Sequence, residues 1–506
     1  MVLKSWHIEE PKLLFGDGQS HVDQKSGLLL FGPYTPGAEE KSAPSSIRLG
    51  IIGTGQTIEL ARRWLQKCQT GVSGDSSQLA LRPPFSGFEN VFGCTLRLSK
   101  QWEETIPERD IDSTVRISSF GERVRMAVKL FTDKLRNFSE REPRPQVVIC
   151  ALPKEIVDAC GTQRGGQGRV RLSPAERKLK KEIERNRIVG QQTLVPLDEV
   201  ELGLSDFLPE FSDFRRILKA DAMEIGIPTQ IAWPGTFTGE QASGRMVQDE
   251  TTRAWNFSVA LYYKGGGFPW RLAEARQGTC YVGVSFYKER GSVGERTRTS
   301  LAQIFTHTGE GLVLRGGRFA WDEKRGKSPH LSEDSAFQLL SEALNLYQRQ
   351  MGAPPLRIVV HKSSRYWQDE LAGFRKAAAK TSRIDFLAFG ERGIRFLRKG
   401  SYPPLRGTAV ELSSGNYILY TRGYVPYYGT YLGQRVPQPI EITEHYGDSD
   451  ADTICREVMA LTKMNWNNSD FSIREPITLQ FAREVGLILA HLREGVEPRP
   501  QYLYYM

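Results

Sequence analysis

Four residues between Arg215 and Lys264 have types and spacings that could close on a single phosphate. Arg215 and Lys219 stand four apart in Phe214-Arg215-Arg216-Ile217-Leu218-Lys219, where Phe214, Ile217 and Leu218 recur at helical spacing. The spacing predicts a short amphipathic helix with both cations on one side, about a turn apart, where they repel unless an anion lies between them. Gly226-Ile227-Pro228-Thr229-Gln230-Ile231-Ala232 reads as a buried strand that delivers Gln230. Lys264 then precedes the turn Gly265-Gly266-Gly267, where the backbone can approach a ligand closely. Read singly, each has an ordinary role: a solvated helix face, a strand-end cap, a snorkelling lysine. Read together, they form a site for an anion.

The order of these motifs resembles the phosphate pocket of the MID domain of Argonaute proteins. There a helix carries two binding residues four apart, a G-I-x-T-Q strand supplies the glutamine and a lysine precedes a GG turn. By that resemblance Arg215, Lys219, Gln230 and Lys264 bind the 5′-phosphate of a guide. Arg215 departs from the tyrosine of many members. Gly27-Leu28-Leu29-Leu30-Phe31-Gly32-Pro33-Tyr34 matches a GL-x-x-x-GPY phrase at the entry to the MID domain, and starting there is the layout of short prokaryotic members.

The chain around these motifs has 506 residues, enough for two or three domains with sizeable cores. Lys and Arg number 68 against 59 Asp and Glu, a net charge of +9 that favours a polyanionic partner without specifying one. Six scattered cysteines without a Cys-x-x-Cys pair fit reduced, buried thiols, and no stretch is apolar enough for a signal peptide or membrane span. A cytoplasmic chain without a membrane partner is expected. Ile51-Ile52-Gly53-Thr54-Gly55 ends a strand ahead of a helix over Thr57 to Lys67. It lacks the third glycine and lysine of a P-loop, so a Rossmann-like first unit is expected in preference to a nucleotide site. Gln146 to Leu152 suits a central parallel strand. The basic run Arg177-Lys178-Leu179-Lys180-Lys181 reads either as a solvated helix or as a backbone contact to nucleic acid.

From Thr279 a second α/β unit begins with the strand Thr279 to Tyr287, and a helix from about Ser332 to Gln350 leads to the strand Leu356 to Lys362. This part resembles the PIWI domain, an RNase H-like fold in which carboxylates on these two strands hold two metal ions. The family's G-x-D appears as Gly283-Val284-Ser285 and its R-D-G as Lys362-Ser363-Ser364, while a third ligand falls near Arg483. No Asp or Glu occurs from Thr279 through Lys288 or from Leu356 through Gln368, so a slip of one residue does not restore the set. The slicer site, with Ser285, Ser363 and Arg483 at its degenerate positions, is expected to be inactive; a guide-directed nuclease with unconventional ligands is the alternative. His361 fits packing or hydrogen bonding better than a general base. Arg392, Arg395, Arg398 and Lys399 alternate with apolar residues, as on a basic strand edge for phosphates or an edge protected by charge. The aromatic end Tyr502-Leu503-Tyr504-Tyr505-Met506 reads as a docked tail.

The expected fold is therefore α/β, a Rossmann-like MID domain over residues 1–253 followed by an RNase H-like PIWI domain over 254–506. The resemblance implies a 5′-phosphorylated guide RNA paired with single-stranded target DNA, and Mg2+ at the guide phosphate held by Gln230 and the terminal carboxylate of Met506. It also implies an APAZ-domain effector partner, of TIR or sirtuin-like type, in a heterodimer that oligomerises on target binding, depletes NAD and aborts infection.

Overall fold

A computed structural model describes residues 3–35, 37, 42–74, 79–160, 214–240, 248–287, 297–306, 309–320, 329–390, 394–396, 403–433, 436–493 and 495–506. The basic run at 177–181 lies outside the described residues.

Four parallel strands form the first sheet, in the order Thr95–Thr105, Ser46–Gly53, Val147–Ala151, Thr229–Ala232. All five residues of Val147–Ala151 are buried, as a central parallel strand covered on both faces requires. The helix Gly55–Thr70 follows its strand directly, and the Thr54 side chain accepts from the Thr57 amide as its N-cap. A Cβ at Gly53 would lie 2.3 Å from Thr57 Oγ1 and 2.8 Å from the Ala151 carbonyl. This glycine is there for strand-helix packing, and Thr57 Oγ1 donates to Ala151 O at 3.0 Å.

The second sheet has nine strands, in the order Lys4–His7, Thr408–Ser413, Asn416–Leu419, Ile440–Gly447, Arg383–Gly390, Arg357–Lys362, Thr279–Tyr287, Thr297–Thr306, Gly311–Ala320. Thr279–Tyr287, Arg357–Lys362 and Arg383–Gly390 run parallel at its centre, with antiparallel neighbours outside them. The helix Glu333–Met351, capped by Ser332, covers one face with the helix Gln368–Ala377 beside it. The helix Ile477–Leu489 packs on Thr279–Tyr287 and Thr297–Thr306.

The two sheets share chain elements. Lys4–His7, at the start of the chain, is an edge strand of the second sheet. Position 253 falls within the helix Glu250–Lys264, whose residues from Ser258 to Lys264 are all buried. A core cluster runs from Ile47 and Trp64 in the first lobe through Trp255 and Trp270 to Phe481 and Met506 in the second. A buried ion network pins the entry segment: Glu10 accepts from Arg406 Nε at 2.8 Å and from Lys463 Nζ at 2.7 Å. Trp270 Nε1 donates to the Lys463 carbonyl at 3.0 Å, so the segment leaving the first lobe is tied to the same point.

Candidate nucleic-acid interface

The predicted helix spans Phe214–Ile225 and buries Phe214, Leu218, Lys219, Ala220, Ala222 and Met223. Phe214 packs edge-on against Phe131 at 5.7 Å between ring centroids, which fixes the start of the helix on the first sheet's helical layer. Gly226 ends it at φ 84°, a left-handed conformation that glycine adopts without strain. The next strand, Thr229–Ala232, carries Gln230 as its second residue, half-buried. Lys264 is the last residue of the helix Glu250–Lys264.

These elements bring the four expected residues together. Lys219 is 1% exposed and its Nζ donates to the Thr229 carbonyl. Lys264 is 4% exposed and its Nζ donates to Gln230 Oε1. Arg215 is half-buried on the same helix as Lys219. Burial pushes the Lys219 ammonium well below the usual lysine range, and the positive charges of Lys264 and Arg215 push it further. Burial and Arg215 bring Lys264 down to about 7. The buried thiol of Cys150, on the central strand, feels both lysines, but burial dominates and pushes it up to about 12. At neutral pH that thiol is protonated, so it supplies no counter-charge to either lysine.

The C-terminal segment is the fourth side of this site. Tyr502–Tyr504 forms a 3-10 turn that contacts the helices Phe214–Ile225 and Glu250–Lys264, and Tyr505 and Met506 are buried. Tyr502 stacks on Phe481 with ring centroids 3.8 Å apart and lies close enough to Arg215 to feel its charge. Arg499 Nε donates to the Met223 carbonyl at 2.9 Å. The sequence signal for this contact was the glycine at 226: a Cβ there would lie 2.3 Å from the Arg499 guanidinium.

The second lobe arranges Ser285, Ser363 and Arg483 differently. Register pairs His361 with Gly283 and Lys362 with Val284, which puts Ser285 and Ser363 at equivalent ends of adjacent parallel strands. Ser285 Oγ donates to the Ala482 carbonyl at 3.0 Å, and Ser363 is exposed. Arg483, on the helix Ile477–Leu489, donates to Glu475 at 3.0 Å. His361 is fully buried against Thr478 Oγ1 at 2.7 Å, and burial together with Arg357 lowers it to about 3, which leaves it neutral. Among the described residues no group of three or more His, Cys, Asp and Glu is placed to hold a metal ion. Sequence reasoning named Lys362 only as a motif position and missed its partner: its Nζ lies 2.6 Å from Glu370 Oε2 with both side chains buried. Glu370 also accepts from the amides of Leu331 and Trp367, which makes this a structural pair.

The basic edge expected at Arg392 to Lys399 is described only at 394–396, where the chain lies in no strand and Arg395 is exposed; Arg392, Arg398 and Lys399 lie outside the described residues. Phe396 is drawn inward instead, its amide donating to Tyr420 Oη at 2.6 Å. All six cysteines are buried and unpaired. Among the described residues no helix is long and apolar enough to cross a membrane.

No protein-family model matches the sequence. A curated relative, the Argonaute protein of Aquifex aeolicus (strain VF5), is 21% identical over 292 residues, 57% of this chain and 38% of the relative. Among solved structures, Argonaute of Clostridium butyricum bound to a guide DNA and a 19-mer target DNA superposes with a TM-score of 0.61 at 14% identity, covering 99% of this chain and 54% of that one. Drosophila Piwi gives 0.59 at 12% identity, covering 99% of this chain and 56% of its own, and Argonaute of A. aeolicus gives 0.57 at 16%, covering 100% and 56%. The chain thus spans little more than half the length of those structures and less than half of the curated relative. Its two lobes have the mixed α/β folds of Argonaute MID and PIWI domains, and its sequence is similar over 292 residues to the A. aeolicus Argonaute.

Proposed function

We propose that this chain is a guide-binding protein of short MID-PIWI form, which holds the 5′-phosphate of a short guide RNA at Arg215, Lys219, Gln230 and Lys264 and pairs the guide with single-stranded target DNA. The observation that carries the reading is the buried cation cluster: the groups that act on Lys219 are Lys264, Arg215 and the Cys150 thiol, and those on Lys264 are Arg215 and the same thiol. A phosphate dianion placed among them restores the charge that burial opposes and accepts charge-assisted hydrogen bonds from two ammoniums and a guanidinium. Base pairing then carries sequence specificity, and the excess of cations supplies backbone affinity that falls with salt. C. butyricum Argonaute bound to guide and target DNA, and A. aeolicus Argonaute with an externally bound siRNA, share the fold and support nucleic acid as the partner class.

Magnesium enters this proposal at one place. Gln230 Oε1 and the Met506 carboxylate are hard oxygen donors of the kind Mg2+ takes alongside phosphate oxygens and water. The Tyr502–Tyr504 turn before Met506 contacts the two helices that carry the cations, and the chemistry of these oxygen donors suits the ion with the phosphate present. When bound, the ion would neutralise phosphate charge. Gln230 Oε1 accepts from Lys264, so in that state Lys264 would turn its Nζ to the phosphate.

The chain, in this reading, recognises its target without cutting it. Serines and an arginine stand where the resemblance puts the three ligands, and none of them offers a carboxylate to a dication. The consequence of recognition then lies in another polypeptide: an APAZ-domain effector, a TIR or sirtuin-like NAD hydrolase, activated in a cytoplasmic heterodimer that oligomerises on target and aborts infection. The test uses the chain with its encoded neighbour, a 5′-phosphorylated RNA and labelled single-stranded DNA in magnesium or manganese. Stable capture of complementary DNA without cleavage, together with NAD consumption, is expected. Cuts at one defined position contradict the inactive-slicer reading, and an unchanged NAD pool contradicts the hydrolase.

A further inference from the structure

The C-terminal segment touches both lobes through different atoms. At one end Arg499 holds the pocket helix: its Nε donates to Met223 O, its guanidinium occupies the space left by Gly226, and it lies 5.3 Å from the centre of the Tyr504 ring. Tyr505 Oη donates back to the Arg499 carbonyl at 2.8 Å, which closes the segment on itself. One residue further along, the Pro500 carbonyl accepts from the Val313 amide at 2.7 Å, and Gln501 bridges Leu312 in antiparallel register. Val313 and Leu312 belong to Gly311–Ala320, the last strand of the nine-stranded sheet. Tyr502 then stacks on Phe481 of the helix Ile477–Leu489 and stands beside Arg215. Four consecutive residues, Arg499 to Tyr502, therefore contact the phosphate-pocket helix, the edge of the second sheet and the helix that covers its degenerate site.

We propose that Arg499–Tyr502 is a clasp that transmits occupation of the anion pocket to the edge strand Gly311–Ala320. The proposal rests on the phosphate reading above. An anion among Arg215, Lys219 and Lys264 draws the helix Phe214–Ile225 against its cations, and Arg499, bonded to the last turn of that helix, follows it. Pro500 follows Arg499 directly and its ring fixes φ, so a displacement of Arg499 has few torsions in which to dissipate before it reaches the rungs. The rungs at Leu312 and Val313 tighten in consequence. Leu314, the next residue of the strand, lines a cavity of about 680 Å³ with Glu342, Asn345, Gln348 and Arg349 of the helix Glu333–Met351, so a change at the edge is felt at the surface. Arg499 is a positioning residue here.

The test is hydrogen-deuterium exchange on the full chain with one RNA carrying a 5′-phosphate or a 5′-hydroxyl, each at a concentration that saturates the protein. The 5′-phosphate should slow exchange in peptides covering Gly311–Leu314 several-fold relative to the 5′-hydroxyl. In Arg499→Ala, with each RNA at a concentration that saturates the variant, the difference at Gly311–Leu314 should disappear. Equal exchange at the edge strand in wild type, with phosphate preferred in binding, overturns the clasp and leaves the pocket intact; so does a difference that survives in Arg499→Ala. The wild-type comparison decides the matter even if the variant folds poorly. Absence of any phosphate preference overturns the reading on which the clasp rests, and it appears in the affinities before exchange is measured.

Discussion

The two lobes each bury lysines, and they treat them in opposite ways. In the second lobe Lys362 lies within 2.7 Å of both oxygens of Glu370, and Lys463 lies 2.7 Å from Glu10. In the first lobe Lys219 and Lys264 donate to a backbone carbonyl and an amide oxygen, and the full charges acting on them are cations. Burying a charge is costly unless it is paired, so the carboxylate-bonded lysines are satisfied as they stand, whereas the other two are held toward their neutral form and, in the function proposed above, are completed by an anion. Burial of a lysine by itself does not mark a binding site; burial without a carboxylate is what motivates the phosphate proposal.

The largest effect that separates the two is on folding. Glu370→Ala should destabilise the protein by about 3–5 kcal/mol, read by denaturant unfolding, because it strands Lys362 and the amides of Leu331 and Trp367. Lys264→Met, by contrast, should cost at most about 1 kcal/mol in the same measurement, since it removes a charge that its surroundings oppose. A Lys264→Met loss as large as that of Glu370→Ala would erase the distinction.

The next effect is on pH. Lys264 has a folded value of about 7, below its ordinary 10.5, so between those values the unfolded chain binds more protons than the folded one. Stability of the free protein should therefore rise with pH through that window, and the penalty from this lysine should be complete below about pH 7. A bound phosphate favours the charged ammonium, so guide affinity should move the other way and weaken by up to about tenfold per pH unit above pH 7 as binding takes up a proton. Lys264→Arg should flatten that profile, because a guanidinium stays charged throughout.

The smallest effect concerns the degenerate site. Ser285→Ala should cost about 1 kcal/mol of stability through its bond to Ala482 O and leave guide and target affinities unchanged. A several-fold loss of target binding in that variant would give the site a role that the comparison denies it.

Much of this was legible in the sequence because local pattern and tertiary demand agree. Phe214, Ile217 and Leu218 place the pocket helix, Thr279 to Tyr287 is a strand over its whole predicted length, and Ser332 marks the start of a helix by its capping chemistry. Arg215, Gln230 and Lys264 sit near element ends that local rules can place, and Lys219 follows Arg215 one helical turn on. Two features were not legible. Charge alternation from Arg392 to Lys399 suggested a strand, but Phe396 turns inward to Tyr420, a partner more than twenty positions away that no local pattern reveals. The join between lobes was hidden for the same reason: Lys4–His7 completes a sheet whose neighbouring strand begins at Thr408. The Arg499 contact left one trace, a glycine at 226 that spacing alone explains only as a helix stop.

The central claim is that the buried cations of the first lobe await a phosphate, and one equilibrium measurement tests it directly. The affinity of the chain, with its encoded neighbour where needed, is measured for the same short RNA with a 5′-phosphate and with a 5′-hydroxyl, in wild type, Lys219→Ala and Lys264→Ala. Each charge-assisted bond is worth about 1.5–3 kcal/mol, so phosphate should be preferred at least about tenfold and each substitution should remove most of that preference. Equal affinity for the two RNAs in wild type would contradict the account, and Lys219 and Lys264 would then be buried lysines that hold no phosphate.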